Sequence, residues 1–500
     1  IICYSRINMY LLLIGVLSVL VYFIVRYYQY VSKYPKGPLP IPLIGNLHQL
    51  DLAQQYKTIE KFAKNHNGIF TLFIPFPIVI ITDYDMIKQA FADKGDDFSG
   101  RPDNPVVAEV VMYKVDSGVL NSSGDNWREQ RRTAISILRD FGMGKNVMEE
   151  QVLSSIREYL KFLDGIENKN EVDMRWPIQL MVANIINEVL FGFRYKYDDC
   201  EPLIRYVEDF NDLLMGFATS PGLFLAMAFP SILNIPYLNW HCMGKHKANM
   251  QKINQYIVDN VEKVLKEYKS EDEIQCFVHA YKEIMGSNSL LDDDNLIATC
   301  SDFFMAGQET TTTTLRWSML FLALNQPVQD KIREEVHSVV GRDRLTTTSD
   351  KPKMIYTQAC VHELQRYANI LGGNVLHRTM RDTEVDGHPI PAGTYVNGDI
   401  HYVLAHDPVF ENPTEFRPER YLTDDGKALR KDLIERTIPF SIGKRICAGE
   451  GLARVELFLG LTATVQNYRI LPSPGHAIDL EPRLMNILQP KDQKIRLEKV

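Results

Sequence analysis

Cys447 stands in the run IPFSIGKRICAGEGLARVELFLGL, where an irregular loop passes into a long segment of helical apolar spacing, so its thiol lies just ahead of a helix N-terminus. Unpaired backbone N–H groups and the positive end of a helix dipole favour a thiolate there, and Lys444 and Arg445 push the same way. The thiolate is the form in which cysteine binds metals. Gly443 and Gly449 let the backbone turn and approach a flat ligand closely. The other six cysteines, Cys3, Cys200, Cys242, Cys276, Cys300 and Cys360, are scattered singly, with no C-x-x-C and no clustered histidines that would suggest zinc. Such dispersion fits a reducing compartment, in which most thiols are small buried hydrophobes. A lone cysteine is more often inert than reactive, and only the neighbours of Cys447 argue otherwise.

A second run, AGQETTTTT, places Gly307 and five threonines, Thr310 to Thr314, inside a segment that reads as helix from Leu291 to Asn325. Helix propensity disfavours both residue types there, and a local violation of that kind usually has a functional reason. Gly307 removes bulk where a flat cofactor could lie, while the Thr310 hydroxyl can bond the carbonyl of Ala306 four residues back and open the helix locally. The plainer alternative is a polar patch on a structural helix. Glu363 and Arg366 in HELQRYA stand three apart, a spacing that mostly gives solvated pairs of small worth. Trp127, Arg128, Arg131 and Arg132 make a basic, aromatic turn at a helix start, most simply a solvated face on which Trp127 and Arg131 share one side.

The pattern Phe440-x-x-Gly443-x-Arg445-x-Cys447-x-Gly449 resembles the haem-binding signature of the cytochrome P450 family, with every signature position filled. The resemblance implies that the Cys447 thiolate is the axial ligand of haem b (iron protoporphyrin IX), where its electron donation favours O–O cleavage. It also implies that Arg445 pairs with a haem propionate and that Phe440 shields the sulfur. Ala306-Gly307-x-Glu309-Thr310-Thr311 resembles the oxygen-activation motif of the family, in which Thr310 delivers protons through water and Glu309 helps to supply them. With Arg420 in FRPERY, Glu363 and Arg366 resemble the family's structural Glu-Arg-Arg triad, implying a buried network that supports the cysteine loop. Tyr421 departs from that motif, which commonly has Phe after the arginine. Trp127-x-x-x-Arg131 looks like the propionate-binding pair of the family, and Arg101 in FSGRP and His377 in VLHRTMRD resemble further propionate contacts, with Arg378 an alternative to His377.

The elements that must position these residues follow from composition and periodicity. Met9 to Val25 carries no charge and is long enough, at about 1.5 Å per residue, to cross a bilayer core as a helix. A cleaved signal peptide would be shorter and end at small residues, whereas this stretch runs into Arg26, Tyr27, Tyr28 and Tyr30. Arg26, Lys33 and Lys36 keep the rest of the chain in the cytoplasm, and residues 1–8 read as an extension ahead of Met9. Pro38, Pro40 and Pro42 then set a stiff spacer. The expected organisation is a membrane anchor over residues 1–26, a proline-rich linker over 27–46 and a catalytic domain over 47–500. That domain is mainly α with a small β part: strands within Ile69 to Asp83, a hairpin within Val385 to Val396, and long helical patterns elsewhere. Leu213 to Trp240 has no charged residue and is interrupted by Pro221, Pro230 and Pro236, which leaves buried core and an apolar lid dipping into lipid as equal readings.

The net charge of -8 and a pI of about 5.9 give no basic excess to hold nucleic acid. The resemblance implies a monooxygenase of the animal xenobiotic- and lipid-oxidising branch, in the endoplasmic reticulum membrane with its catalytic domain facing the cytoplasm. It would insert one atom of dioxygen into a small lipophilic substrate, a xenobiotic, fatty acid or steroid. No G-x-G-x-x-G opens a helix after a strand, so electrons must come from an NADPH-dependent reductase or a cytochrome b-type donor. Arg128, Arg132, Arg139, Lys145 and Lys444 are the candidate basic face for such a partner. Haem-thiolate isomerases and dehydratases often lack the acid and threonine that Glu309 and Thr310 supply; a haem carrier without turnover is the rival of another class. The substrate pocket is expected among residues 106–120, Phe217, Phe224, 297–310 and 370–375.

Overall fold

A computed structural model describes residues 2–51, 54–140, 146–269, 271, 273–483 and 487–500, of which 2–8, 146 and 147 are described by their backbone alone. Its axis is the helix Asp293–Leu324, the threonine-bearing segment, most residues of which are buried. Asp292 caps the N-terminus by accepting from the Asn295 N–H, and Asp293 and Asp294 in the first turn suit the helix dipole. At the other end Pro327, within the first turn of the helix Gln326–Val339, prevents continuation. The largely buried helix Arg175–Phe191 lies along this central helix and stops at Gly192, which takes the left-handed conformation at φ 78°. The helix Glu450–Asn467, which follows Cys447, packs on the central helix from another side. These three helices enclose the main hydrophobic core.

A four-stranded sheet orders Ile69–Phe73, Pro77–Ile81, Tyr395–Gly398 and His377–Arg378 side by side, the middle pair parallel and the outer pairs antiparallel. The expected hairpin is shorter than the sequence suggests. Thr383–Val385 pairs with His388–Ile390 across Asp386 and Gly387, both at positive φ as a tight primed turn requires, while Tyr395–Gly398 belongs to the larger sheet.

The first helix runs from Ile2 to Val31, and Met9 to Arg26 are all exposed despite a mean hydropathy of 2.3 over Met9–Val31. An isolated apolar helix of this length is poorly solvated by water and is long enough to cross a membrane. Its last turns are clasped to the domain. The rings of Tyr30 and Tyr34 meet Phe73 edge-on at 6.1 and 5.7 Å, and the Tyr28 hydroxyl donates to the Pro40 carbonyl at 3.2 Å.

The uncharged stretch is partly buried and partly exposed. Pro221 and Pro230 each open a short helical piece and Pro236 opens the long helix Pro236–Glu267; Leu223 and Ala226 are buried, whereas Leu225, Ile235, Tyr237 and Trp240 face outward.

Under the cysteine loop, Glu363 is fully buried and accepts from Arg366 Nε at 2.7 Å, Arg420 Nε at 3.1 Å and the Arg417 backbone N–H at 2.8 Å. The guanidiniums then donate to the carbonyls of Leu404, Asn412 and Glu415. The unusual Tyr421 finds a hydroxyl partner in Thr437 at 2.7 Å, three residues before Phe440. A buried phenol is thereby satisfied, and the triad is tied to the loop.

His362 stacks on Tyr421, and burial, aided by the charges of Arg454 and Lys351, lowers its pKa from 6.5 to about 4. The folded chain therefore binds fewer protons here than the unfolded chain, so this contribution to stability is present above pH 6.5 and is lost as pH falls toward about 4. The full shift corresponds to roughly 3 kcal/mol. Denaturant midpoints measured across that window are expected to fall with pH in the wild type and to fall less in His362→Phe, which keeps the ring without the titration. Equal slopes would show that His362 does not carry the effect.

Candidate functional site

The cysteine loop is shaped by contacts distant in sequence. Gly443 has φ 79°, and a Cβ there would lie 1.7 Å from the Phe91 carbonyl oxygen, so glycine is required by a neighbouring backbone and not, as its position in the sequence suggests, by a flat ligand. Gly449 does open space at the sulfur, since an added Cβ would meet only Cys447 Sγ, at 4.0 Å. The Cys447 N–H donates to the Phe440 carbonyl at 3.0 Å, and Arg131 donates to the Ile446 carbonyl. The Phe440 ring lies under the Arg454 guanidinium, 5.0 Å away. The Cys447 side chain is exposed, and it lines a cavity.

Burial pushes the Cys447 thiol up, against smaller opposing pulls from the Gly449 N–H and Arg131. The expected help from Lys444 and Arg445 is not what the fold supplies. Lys444 pairs with Asp96 at 2.5 Å, while Arg445 turns its guanidinium to the carbonyls of Ser99, Val119 and Ser122. Loss of water outweighs the helix terminus, and a metal cation must displace the proton.

Three arginines gather at one end of the same cavity. Arg101 Nε donates to Leu120 O at 2.9 Å and its Nη1 to Leu376 O at 2.9 Å; Arg445 lies over the Trp127 ring at 3.9 Å. Burial and mutual repulsion push Arg101 down to about 10 and Arg445 to about 8, and burial lowers Arg131 as well. Among the described residues no carboxylate makes an ion pair with any of the three. Asp302 is near, but its Oδ2 accepts from the backbone N–H groups of Val119 and Leu120 at 2.7 and 2.8 Å. The Trp127 Nε1 donor is buried without a partner. Clustered guanidiniums without an anion are costly inside a protein, and a flat macrocycle carrying two carboxylates answers that cost. Haem b therefore fits the residues present.

His377 lines the cavity with its Nδ1 2.8 Å from Phe98 O and its ring stacked on Phe91 at 3.9 Å; burial keeps it well below its usual pKa and hence neutral. Arg378 is drawn away to Asp103 at 2.8 Å, so of the two alternatives it is His377 that faces the cavity.

The cavity has a volume of about 300 Å³, at the lower end of the range of small-molecule sites. Ala306, Gly307 and Thr310 form one wall, as do Val119, Leu120, Phe303, Ile370 and Val375 from the expected segments, but Phe217 and Phe224 are not in the lining. A Cβ on Gly307 would lie 2.7 Å from Ile186 Cδ1, so its smallness serves helix packing. Thr310 Oγ1 donates to Ala306 O at 2.8 Å; the helix nevertheless continues unbroken, without the expected opening.

Glu309 does not reach this wall. It is buried on another side of the helix, where Oε1 accepts from Gln489 Nε2 at 2.6 Å and from Thr313 at 3.3 Å, and burial raises its pKa. Two acids that do line the cavity escaped sequence reasoning: Asp302 and Glu456, the latter pushed by burial up to about 8 with Oε1 unpartnered. The signal for Glu456 was present, a lone acid in the apolar run RVELFLGL.

Residues 35–497 match the model of the family described as Cytochrome P450. The chain belongs to the cytochrome P450 family. It is 34% identical over 475 residues to Cytochrome P450 2K1 of Oncorhynchus mykiss, covering 93% of this chain and 91% of that protein. It is 32% identical over 471 residues to Cytochrome P450 2C16 of Oryctolagus cuniculus, covering 93% and 90%, and 34% identical over 464 residues to Cytochrome P450 2H2 of Gallus gallus, covering 90% of each. As a P450 monooxygenase it takes haem b, which members of the family bind. In this P450 the basic face carries its own counter-charges: Arg128 pairs with Asp125 at 2.8 Å and Arg132 with Glu129 at 2.7 Å, while Lys145 lies outside the described residues.

Proposed function

We propose that this P450 inserts one oxygen atom from dioxygen into a small lipophilic substrate, a xenobiotic, fatty acid or steroid, with electrons from an NADPH-dependent reductase, at the endoplasmic reticulum membrane and facing the cytoplasm. The observation that carries the reading is a single apolar cavity shared by the Cys447 sulfur, three unpaired arginines and the Thr310 hydroxyl. Haem b supplies dioxygen binding and reduction when bound. Cys447 would hold its iron, and Arg101, Arg131, Arg445, Trp127 and His377 would hold its carboxylate edge. Ile186, Val189, Phe303 and Ile370 exclude water and favour an apolar substrate. Thr310, with its own proton committed to Ala306 O, offers its oxygen to a water in the cavity and so keeps a proton donor beside the reacting centre.

The test is reconstitution with reductase and NADPH over a panel of lipids and drugs. Thr310→Ala is expected to keep haem while product per NADPH falls at least about tenfold, the missing equivalents appearing as hydrogen peroxide. Unchanged coupling would remove Thr310 from proton delivery, and no substrate-dependent NADPH use in the wild type would remove the monooxygenase reading.

A further inference from the structure

Six residues other than glycine take a positive φ among those described, and four of them are Asn or Asp, which tolerate the left-handed region. The other two are Leu43, in the exposed linker, and Ser441, at φ 63° in the cysteine loop. A strained residue at a functional site persists only where its surroundings over-determine it. The Ser441 N–H donates to Ile438 O at 3.0 Å, and its Oγ accepts from Asn374 Nδ2 at 3.2 Å; no other side chain among the described residues bonds that hydroxyl. Asn374 is itself fixed. Its N–H donates to Asn397 Oδ1 on the strand Tyr395–Gly398 at 3.2 Å, and its Oδ1 accepts from the Val375 N–H at 2.8 Å, which leaves the amide nitrogen directed at Ser441. The peptide just ahead of the strained residue carries Phe440 O, the acceptor of the Cys447 N–H. Rotation about the N–Cα bond of Ser441 therefore decides whether that acceptor faces Cys447.

We propose that the Asn374 amide is a brace that holds Ser441 in the left-handed conformation and so keeps Phe440 O on the Cys447 N–H, which makes Asn374 a positioning residue for the iron ligand. The inference rests on Cys447 as that ligand. It also crosses the site. Asn374 lines the cavity beside Ile370 and Val375, on the wall assigned to substrate, whereas the bond it protects lies in the loop that carries the sulfur. Without the brace Ser441 relaxes toward negative φ, the Phe440 carbonyl turns off the Cys447 N–H, and the sulfur loses its fixed direction. Glycine at position 441 would adopt the left-handed conformation without side-chain support, and this separates the strain from every other effect of altering Asn374.

Two readouts of the haem-loaded protein test the brace without turnover: the rate at which the thiolate-type Soret band of the reduced carbon monoxide complex is lost on warming, and deuterium exchange in peptides spanning Cys447. In Asn374→Ala both should be several-fold faster than in the wild type. Ser441→Ala, which removes the bond from the other side, should reproduce the loss. Asn374→Asp should resemble the wild type, because the Ser441 O–H can donate to the carboxylate while the Val375 N–H keeps its acceptor. Adding Ser441→Gly to Asn374→Ala should return both readouts toward wild-type values, since the turn then needs no support. Wild-type behaviour of Asn374→Ala and Ser441→Ala, or a defect in Asn374→Ala that Ser441→Gly does not relieve, overturns the brace while Cys447 keeps its assignment. A thiolate-type band that survives Cys447→Ser overturns the ligand assignment, and the brace with it.

Discussion

Cys447→Ser abolishes the red-shifted Soret band of the reduced carbon monoxide complex and all NADPH-supported substrate oxidation, while the chain still folds and retains a pigment. The loop does not depend on sulfur for its shape: the Phe440 carbonyl is held by the backbone N–H of residue 447, Gly443 lies against Phe91, and Arg131 donates to Ile446 O. Serine occupies slightly less space, and Gly449 leaves that space uncrowded. Arg101, Arg131 and Arg445 remain to capture the two carboxylates of haem, so the cofactor is bound but its iron lacks a soft, electron-donating ligand. Spectra of the reduced, carbon monoxide-treated protein decide the matter directly. Persistence of the thiolate-type band in the serine variant would overturn the assignment of the axial ligand and with it the proposed function.

The second large effect is on the fold. Glu363→Ala removes the acceptor shared by Arg366, Arg420 and the Arg417 N–H, and strands two guanidiniums that are nearly fully buried. Breaking one partner out of a buried charge network costs about 3 to 5 kcal/mol, because the remaining charge has lost its compensation and cannot reach water. Through Tyr421 and Thr437 the damage extends to the segment before Phe440. The expected result is a shortened half-life of haem retention at raised temperature and a lowered urea midpoint, with Glu363→Gln intermediate because it keeps acceptor geometry without the charge. An alanine variant as stable as the wild type would show that the network is dispensable.

Local signals in the sequence led furthest where a motif is short and its partners lie close by. The helix that follows the cysteine, the Thr310 bond to Ala306 and the left-handed turn at Asp386 and Gly387 all depend on a few consecutive residues. The directions of side chains were less legible. Glu309 and Thr310 are adjacent in the chain, yet successive residues of a helix point about 100° apart, and the destination of Glu309 was set by Gln489 far downstream. The reasons for Gly307 and Gly443 were likewise hidden, because Ile186 and Phe91 approach from other elements. For Cys447, neighbouring cations were visible in the sequence, but the desolvation that outweighs them appears only when the loop is buried.

The clasp of Tyr28, Tyr30 and Tyr34 on Pro40 and Phe73 makes the first helix a lever and not a string. Inserted in a bilayer, such a lever would spare the enzyme most of the tumbling available to a tethered globule, leaving rotation about the membrane normal and sliding in the plane. Encounters with an electron donor embedded in the same lipid would then be a two-dimensional search between partners already the right way up, and cutting the clasp would slow that search without touching the chemistry.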